Sequence, residues 1–147
     1  MHPLVAEAMK KAAVAWLEVE GHDPYAVWCA WADGGLTVVS GPGEQPAPGL
    51  ADAERAVVIA RGDHGGAIVA WRAVVSRVDP ASAQWPELVP ALAAKRLNSE
   101  PAAPLAERWA QSNVVSRLIP VDEEALTPRT AERRSAPTRS GPPSRLL

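Results

Sequence analysis

Phenylalanine is absent from this chain of 147 residues, and tyrosine and cysteine occur once each. The lone thiol, Cys29, excludes an internal disulfide and any zinc cluster built from cysteines, and it fits a reducing compartment such as the cytoplasm. No apolar run approaches the roughly 20 residues that a membrane-spanning helix requires. The opening stretch, MHPLVAEAMKKAAVAWLEVE, scatters acids and lysines where a secretory leader would have a basic start and an apolar block. Positive charge is also scarce: the formal charge is −2, which argues against nucleic acid as a partner, because phosphate binding needs clustered Lys and Arg. His2, His22 and His64 lack the paired spacing of a metal site, and no G-x-S-x-G nucleophile elbow occurs. No metal is expected.

Tryptophan is the aromatic residue that is there. Trp16, Trp28, Trp31, Trp71, Trp85 and Trp109 spread over the first three quarters of the chain. From Thr127 onward, TPRTAERRSAPTRSGPPSRLL has no aromatic residue and is mostly Pro, Ser, Thr, Ala and Arg, a composition that buries too little apolar area to offset chain ordering. A folded unit is expected over 1–121 and a disordered tail over 122–147.

Within the folded unit the hydrophobic period changes several times. Leu4, Val5, Ala8, Met9 and Ala12 share one face of a short helix that Pro3 can open. Val14, Trp16, Leu17 and Val19 lead into a turn at EGHDP. PYAVWCAWA and LTVVS, joined by DGG, form an antiparallel hairpin, and side-chain alternation sends Trp28 and Trp31 to opposite faces. RAVVIAR and AIVAWRAVVSRV follow as strands around a turn at GDHGG. The second of these is apolar on both faces, which suits a barrel or a subunit contact. In WPELVPALAAKRLN, Trp85, Leu88, Val89 and Leu92 fit a helix, although Pro90 favours a start near Val89. PLAERWAQ is a second short helix, and SNVVSRLIP is a last strand. This order predicts a mainly β architecture: a barrel of about six antiparallel strands with peripheral helices.

Between the hairpin and the next strand lies GPGEQPAPG, Gly41 to Gly49. Its glycines permit close backbone approach and positive φ, and such a loop at a strand end can present N–H groups to a phosphate. It is not a P-loop, since no G-K-S/T follows and no Lys or Arg lies between Asp33 and Arg55. On physical grounds it is either a ligand site or a plain crossover.

The leading helix, the PYAVWCAWADGGLTVVS hairpin and the long strand AIVAWRAVVSRVDP with its following helix together resemble the pyridoxamine 5′-phosphate oxidase-like superfamily of FMN-binding split β-barrels. The resemblance implies a homodimer holding FMN or a deazaflavin, and an oxidoreductase acting on a small organic molecule. It places Val27 and Trp28 along the flavin, Ser40 at the phosphate, and Gly41, Gly43 and Gln45 in the phosphate loop. The family usually has Arg or Lys in that loop, where this chain has Glu44 and Gln45. A carboxylate repels a phosphate dianion unless a cation intervenes. Arg61 or Arg96 from a second subunit is the expected source of that cation. The alternative is a barrel without a cofactor that serves as a binding or interaction module.

Overall fold

The computed structural model describes residues 3–61, 68–96 and 101–121. The turn expected at 62–66 and the tail expected at 122–147 lie outside these residues. Helix α1 (Pro3–Lys11) precedes strands β1 (Val14–Glu18), β2 (Tyr25–Trp28), β3 (Ala30–Ala32) and β4 (Gly35–Ser40). After the glycine loop come β5 (Arg55–Arg61), β6 (Ile68–Arg77), helices α2 (Trp85–Lys95) and α3 (Ala102–Ser112), and β7 (Val114–Pro120).

The seven strands among the described residues belong to one antiparallel sheet in the order β2-β1-β5-β6-β7-β4-β3. Its two edges, β2 and β3, are consecutive in sequence and separated only by Cys29, so one bent segment nearly closes the sheet into a barrel. That segment was expected to be a single strand. It is interrupted because its first half pairs with β1 (Val14 opposite Trp28) and its second half with β4 (Ala30 opposite Thr37). A straight strand cannot serve two neighbours on opposite sides of a closing sheet, and the bend falls at Cys29. The approach to EGHDP, Val14 to Glu18, is itself a strand, with Ala15 and Leu17 facing inward and Val14 and Trp16 outward.

The barrel interior is filled by Leu17, Val27, Leu36, Val38, Val58, Trp71 and Leu118, and Val5 and Met9 of α1 pack into the same cluster. Trp31 joins them from its strand and meets Trp71 edge to face, ring centroids 5.9 Å apart at 83°. Such a pairing adds to plain area burial. A second cluster lies outside the barrel, where Leu88, Val89 and Leu92 of α2 and Leu105 and Trp109 of α3 cover Ala30, Val39 and Val115. Trp28 packs against this outer cluster while Trp31 packs against the inner one, so alternation sorts the two indoles as expected.

Helix α2 runs through Pro90 without a break. Proline removes a hydrogen bond to the carbonyl four residues earlier, here that of Pro86. Pro86 lies in the exposed first turn of α2 and Pro90 is itself exposed, so water can satisfy the freed group. Burial of Leu88, Val89 and Leu92 on one stripe holds the helix together across the proline.

The β3–β4 hairpin turns on Asp33 and Gly34, at φ 54° and 75°, the conformation that Asp-Gly favours in a two-residue hairpin loop. Arg117 of β7 braces this turn from outside the barrel. Its guanidinium donates to the carbonyls of Ala32 (2.8 Å) and Asp33 (2.8 Å) and to Thr37 Oγ1 (3.2 Å). The absence of a side chain at Gly35 makes room for it, since a Cβ there would stand 2.8 Å from Arg117 Cζ and 2.5 Å from Ile119 Cδ1. Gly35→Ala is therefore expected to destabilise the fold by about 1–3 kcal/mol, the usual range for overpacking. Urea denaturation should show the midpoint falling with little change in slope.

Candidate functional site

The interruption at Cys29 leaves the Trp28 peptide at the end of the β1–β2 ladder with no strand on the side away from β1, and the side chain of Gln45 fills that place. Its Oε1 accepts from Trp28 N at 2.8 Å, and its Nε2 donates to Trp28 O at 2.9 Å and to Val39 O at 3.1 Å. A carboxamide has the same donor and acceptor as a peptide group, so it can continue a ladder where no backbone is available. The Gln45 amide is thereby committed to joining β2 to β4.

Glu44, one residue earlier, points into the protein. Its side chain is 2% exposed. Oε2 accepts from Arg108 Nη2 at 2.8 Å, Trp109 Nε1 at 2.9 Å and Arg96 Nε at 3.0 Å, while Oε1 lies 3.1 Å from Arg96 Nε. Burial pushes the Glu44 carboxyl up, but the hydrogen bonds from Trp109, Arg96 and Arg108, with the charge of Arg96, outweigh it and hold the carboxyl below its ordinary range. The expectation that Arg96 acts from a second subunit is corrected here: Arg96 meets Glu44 within its own chain. Two guanidinium groups meet this one carboxylate, so Glu44 does not stand in the loop as an unpaired negative charge.

The rest of the loop is tied down with equal thoroughness. Asn113, between α3 and β7, donates from Nδ2 to the carbonyls of Ser40 (3.1 Å) and Pro42 (3.0 Å). Gly41 N–H donates to Gln45 O at 3.2 Å, Glu44 N–H to Gly41 O at 2.9 Å, and Tyr25 OH to Pro48 O at 2.9 Å. Gly41 has φ 114° and Gly43 φ 78°. A Cβ at Gly41 would stand 3.1 Å from Asn113 Nδ2, whereas nothing lies within 4 Å of the equivalent point at Gly43.

The six residues expected to line a cofactor are not gathered at one place. The Gln45 amide holds the Trp28 peptide and Gln45 O accepts from Gly41 N–H, whereas Ser40 is buried and its carbonyl accepts from Asn113. Gly43 is exposed at the tip. Val27 is 1% exposed and faces the barrel interior, away from Trp28. Cys29 is fully buried, and burial pushes its thiol up to about 12, with Lys95 opposing, so no nucleophile resides there. Among the described residues no group of three or more His, Cys, Asp or Glu side chains is placed to hold a metal ion. No helix among them is long and apolar enough to cross a membrane.

Arg108, Trp109 and Asn113 were not singled out by sequence reasoning. The signal was indirect: Glu44 sits in a segment with no nearby cation, and a carboxylate buried there needs one from elsewhere in the fold.

Two variants separate these ties. Gln45→Ala leaves Trp28 and Val39 with unpaired backbone groups, and a loss of roughly 1–3 kcal/mol is expected in equilibrium unfolding. Glu44→Gln is expected to cost roughly 2–3 kcal/mol at pH 7, less than for a fully buried pair because Arg108 is 38% exposed. Because the folded carboxyl titrates below its unfolded value of about 4.3, this contribution is present above that pH and fades as acidification passes the folded pKa. The wild-type and Glu44→Gln unfolding curves should therefore converge in acid and differ by a constant amount near neutrality.

No protein-family model matches the chain, and no curated protein matches it in sequence. Solved structures do resemble it. The haem storage protein HutZ of Vibrio cholerae superposes with a TM-score of 0.62 at 16% identity, over 86% of this chain and 95% of that one. A FAD-binding protein of Mesorhizobium loti gives 0.54 at 18% identity, over 83% and 91%. An F420 reductase gives 0.51 at 17% identity, over 79% and 92%. At such identities the likeness is one of fold: the chain has the split β-barrel fold of the pyridoxamine 5′-phosphate oxidase-like proteins.

Proposed function

We propose that this chain binds a flavin-type cofactor, FMN or a deazaflavin, on the outer face of the barrel beside β1 and β2. The complex would act as a homodimeric oxidoreductase on a small organic acceptor. The observation that carries the reading is an apolar strip that the fold leaves uncovered. Val14 and Trp16 of β1 are 52% and 45% exposed and lie opposite Trp28 and Ala26 of β2. The strip passes Ile59, opposite Trp16, and reaches Val74 (41%) and Ile119 (37%), which face each other across β6 and β7. Arg55 and Arg72 interrupt it. Single exposed apolar residues are ordinary, but a row of them on one sheet face marks a surface that something covers.

An isoalloxazine-like ring is flat and apolar, and indoles at Trp16 and Trp28 offer it a stacking surface. The cofactor supplies the redox chemistry, while these side chains position it and exclude water. Val74 and Ile119 would meet the second copy. FAD-binding and F420-linked proteins of the same fold support the reading by analogy of fold.

A second reading, a cofactor-free binding module, is favoured by a different observation. The Gly41 N–H and the whole Gln45 amide are used within the chain, so neither greets a phosphate.

Titration with FMN and then with a deazaflavin, followed through tryptophan and cofactor fluorescence, tests the two. Saturable quenching at one site per subunit is expected, with Trp16→Ala weakening affinity about tenfold or more, in line with loss of a stacking aromatic. Val74→Glu is expected to shift sedimentation toward monomer. A folded dimer that binds neither cofactor establishes the second reading instead.

A further inference from the structure

Glu44 contributes one carboxylate to its cluster; every donor around it belongs to the helix pair. Arg96 follows the last turn of α2, and Arg108 and Trp109 stand on α3. These helices also pack on each other and on the barrel through Leu88, Val89, Leu92, Leu105 and Trp109, contacts that do not involve Glu44. That packing keeps the donors near one another when the Glu44 carboxylate is removed. Three N–H donors converge on a single oxygen, Oε2, at 2.8–3.0 Å, and one of them comes from an indole that is fully buried. Convergence of this kind is what a protein uses to hold an external anion. Arg108, 38% exposed, connects it to solvent.

We infer that Arg96, Arg108 and Trp109 form an anion-binding pocket for a carboxylate or phosphoryl group, filled in this chain from within by Glu44. The Glu44 side chain is its plug. External anion and docked Glu44 compete for the same donors, so the pocket is closed while that carboxylate is in place. This holds whether or not a flavin binds elsewhere, because the probe is a simple anion.

The experiment uses the full chain with Glu44→Ala, which removes the equivalent of one acetate. Thermal unfolding is followed during titration with sodium acetate and with inorganic phosphate, against sodium chloride at matched ionic strength. Acetate is expected to raise the midpoint of Glu44→Ala saturably, recovering at least half of what the substitution lost. Wild type should not respond, and Glu44→Ala/Arg108→Ala should lose most of the recovery. Recovery by acetate alone assigns the pocket to carboxylates; recovery by phosphate as well assigns it to phosphoryl groups too. If Glu44→Ala does not fold in buffer, refolding yield from urea against anion concentration gives the same readout. Acetate and phosphate that help Glu44→Ala no more than chloride does, or help the double variant equally, overturn the inference.

Discussion

A barrel closed by one strand that changes partners midway leaves a peptide group with no strand on one side, and the rest of this structure is arranged around that gap. The Trp28 peptide stands at the change, and the Gln45 carboxamide supplies the missing donor and acceptor. An unmade backbone hydrogen bond in a half-buried place costs more than the made bond returns, so the filling of this gap decides whether β2 and β3 can meet their separate partners. Because Gln45 sits in the glycine loop, the loop cannot leave without opening the barrel seam. A segment that looks like a connector in sequence is part of the sheet in three dimensions.

Charge follows the same logic. A carboxylate placed inside a loop with no nearby Lys or Arg is costly unless the fold brings cations to it. Here α2 and α3 deliver Arg96 and Arg108, and Trp109 adds a third donor. Glu44 fastens the loop to the outer helix layer while Gln45 fastens it to the barrel. Adjacent residues thus tie one strap to two different packing clusters, which joins the barrel to its covering helices more firmly than apolar contact alone.

Much of the fold was legible in the sequence because its signals were local. Asp33-Gly34 gave the hairpin, the spacing of Trp85, Leu88, Val89 and Leu92 gave α2, and alternation separated Trp28 from Trp31. The break at Cys29 was not legible, since Val27 to Ala30 is uniformly apolar and nothing in it announces a change of partner. Nor was the continuity of α2 through Pro90, which depends on burial of its neighbours. The candidate site was legible only in part. Gly41 and Gln45 gather beside Trp28, whereas Val27 turns to the core, because its parity on the strand sends it inward. Arg108, Trp109 and Asn113 lie more than sixty residues from the loop they hold, and no local pattern could connect them to it.

The loop posed a choice between ligand cradle and surface crossover, and the structure answers with a third role, an internal strap whose polar groups are directed into its own protein. On the function proposed above, the exposed indole and aliphatic face is the surface left for a cofactor, held by stacking and a second copy and not by backbone N–H groups. Amide hydrogen exchange on the ligand-free protein tests the strap most directly. If Trp28, Gly41 and Glu44 are bonded as described, their amides exchange slowly, with protection approaching that of the β5–β6 core. Exchange at these three positions as fast as in an unstructured peptide would contradict the account and return the loop to the role of an open crossover.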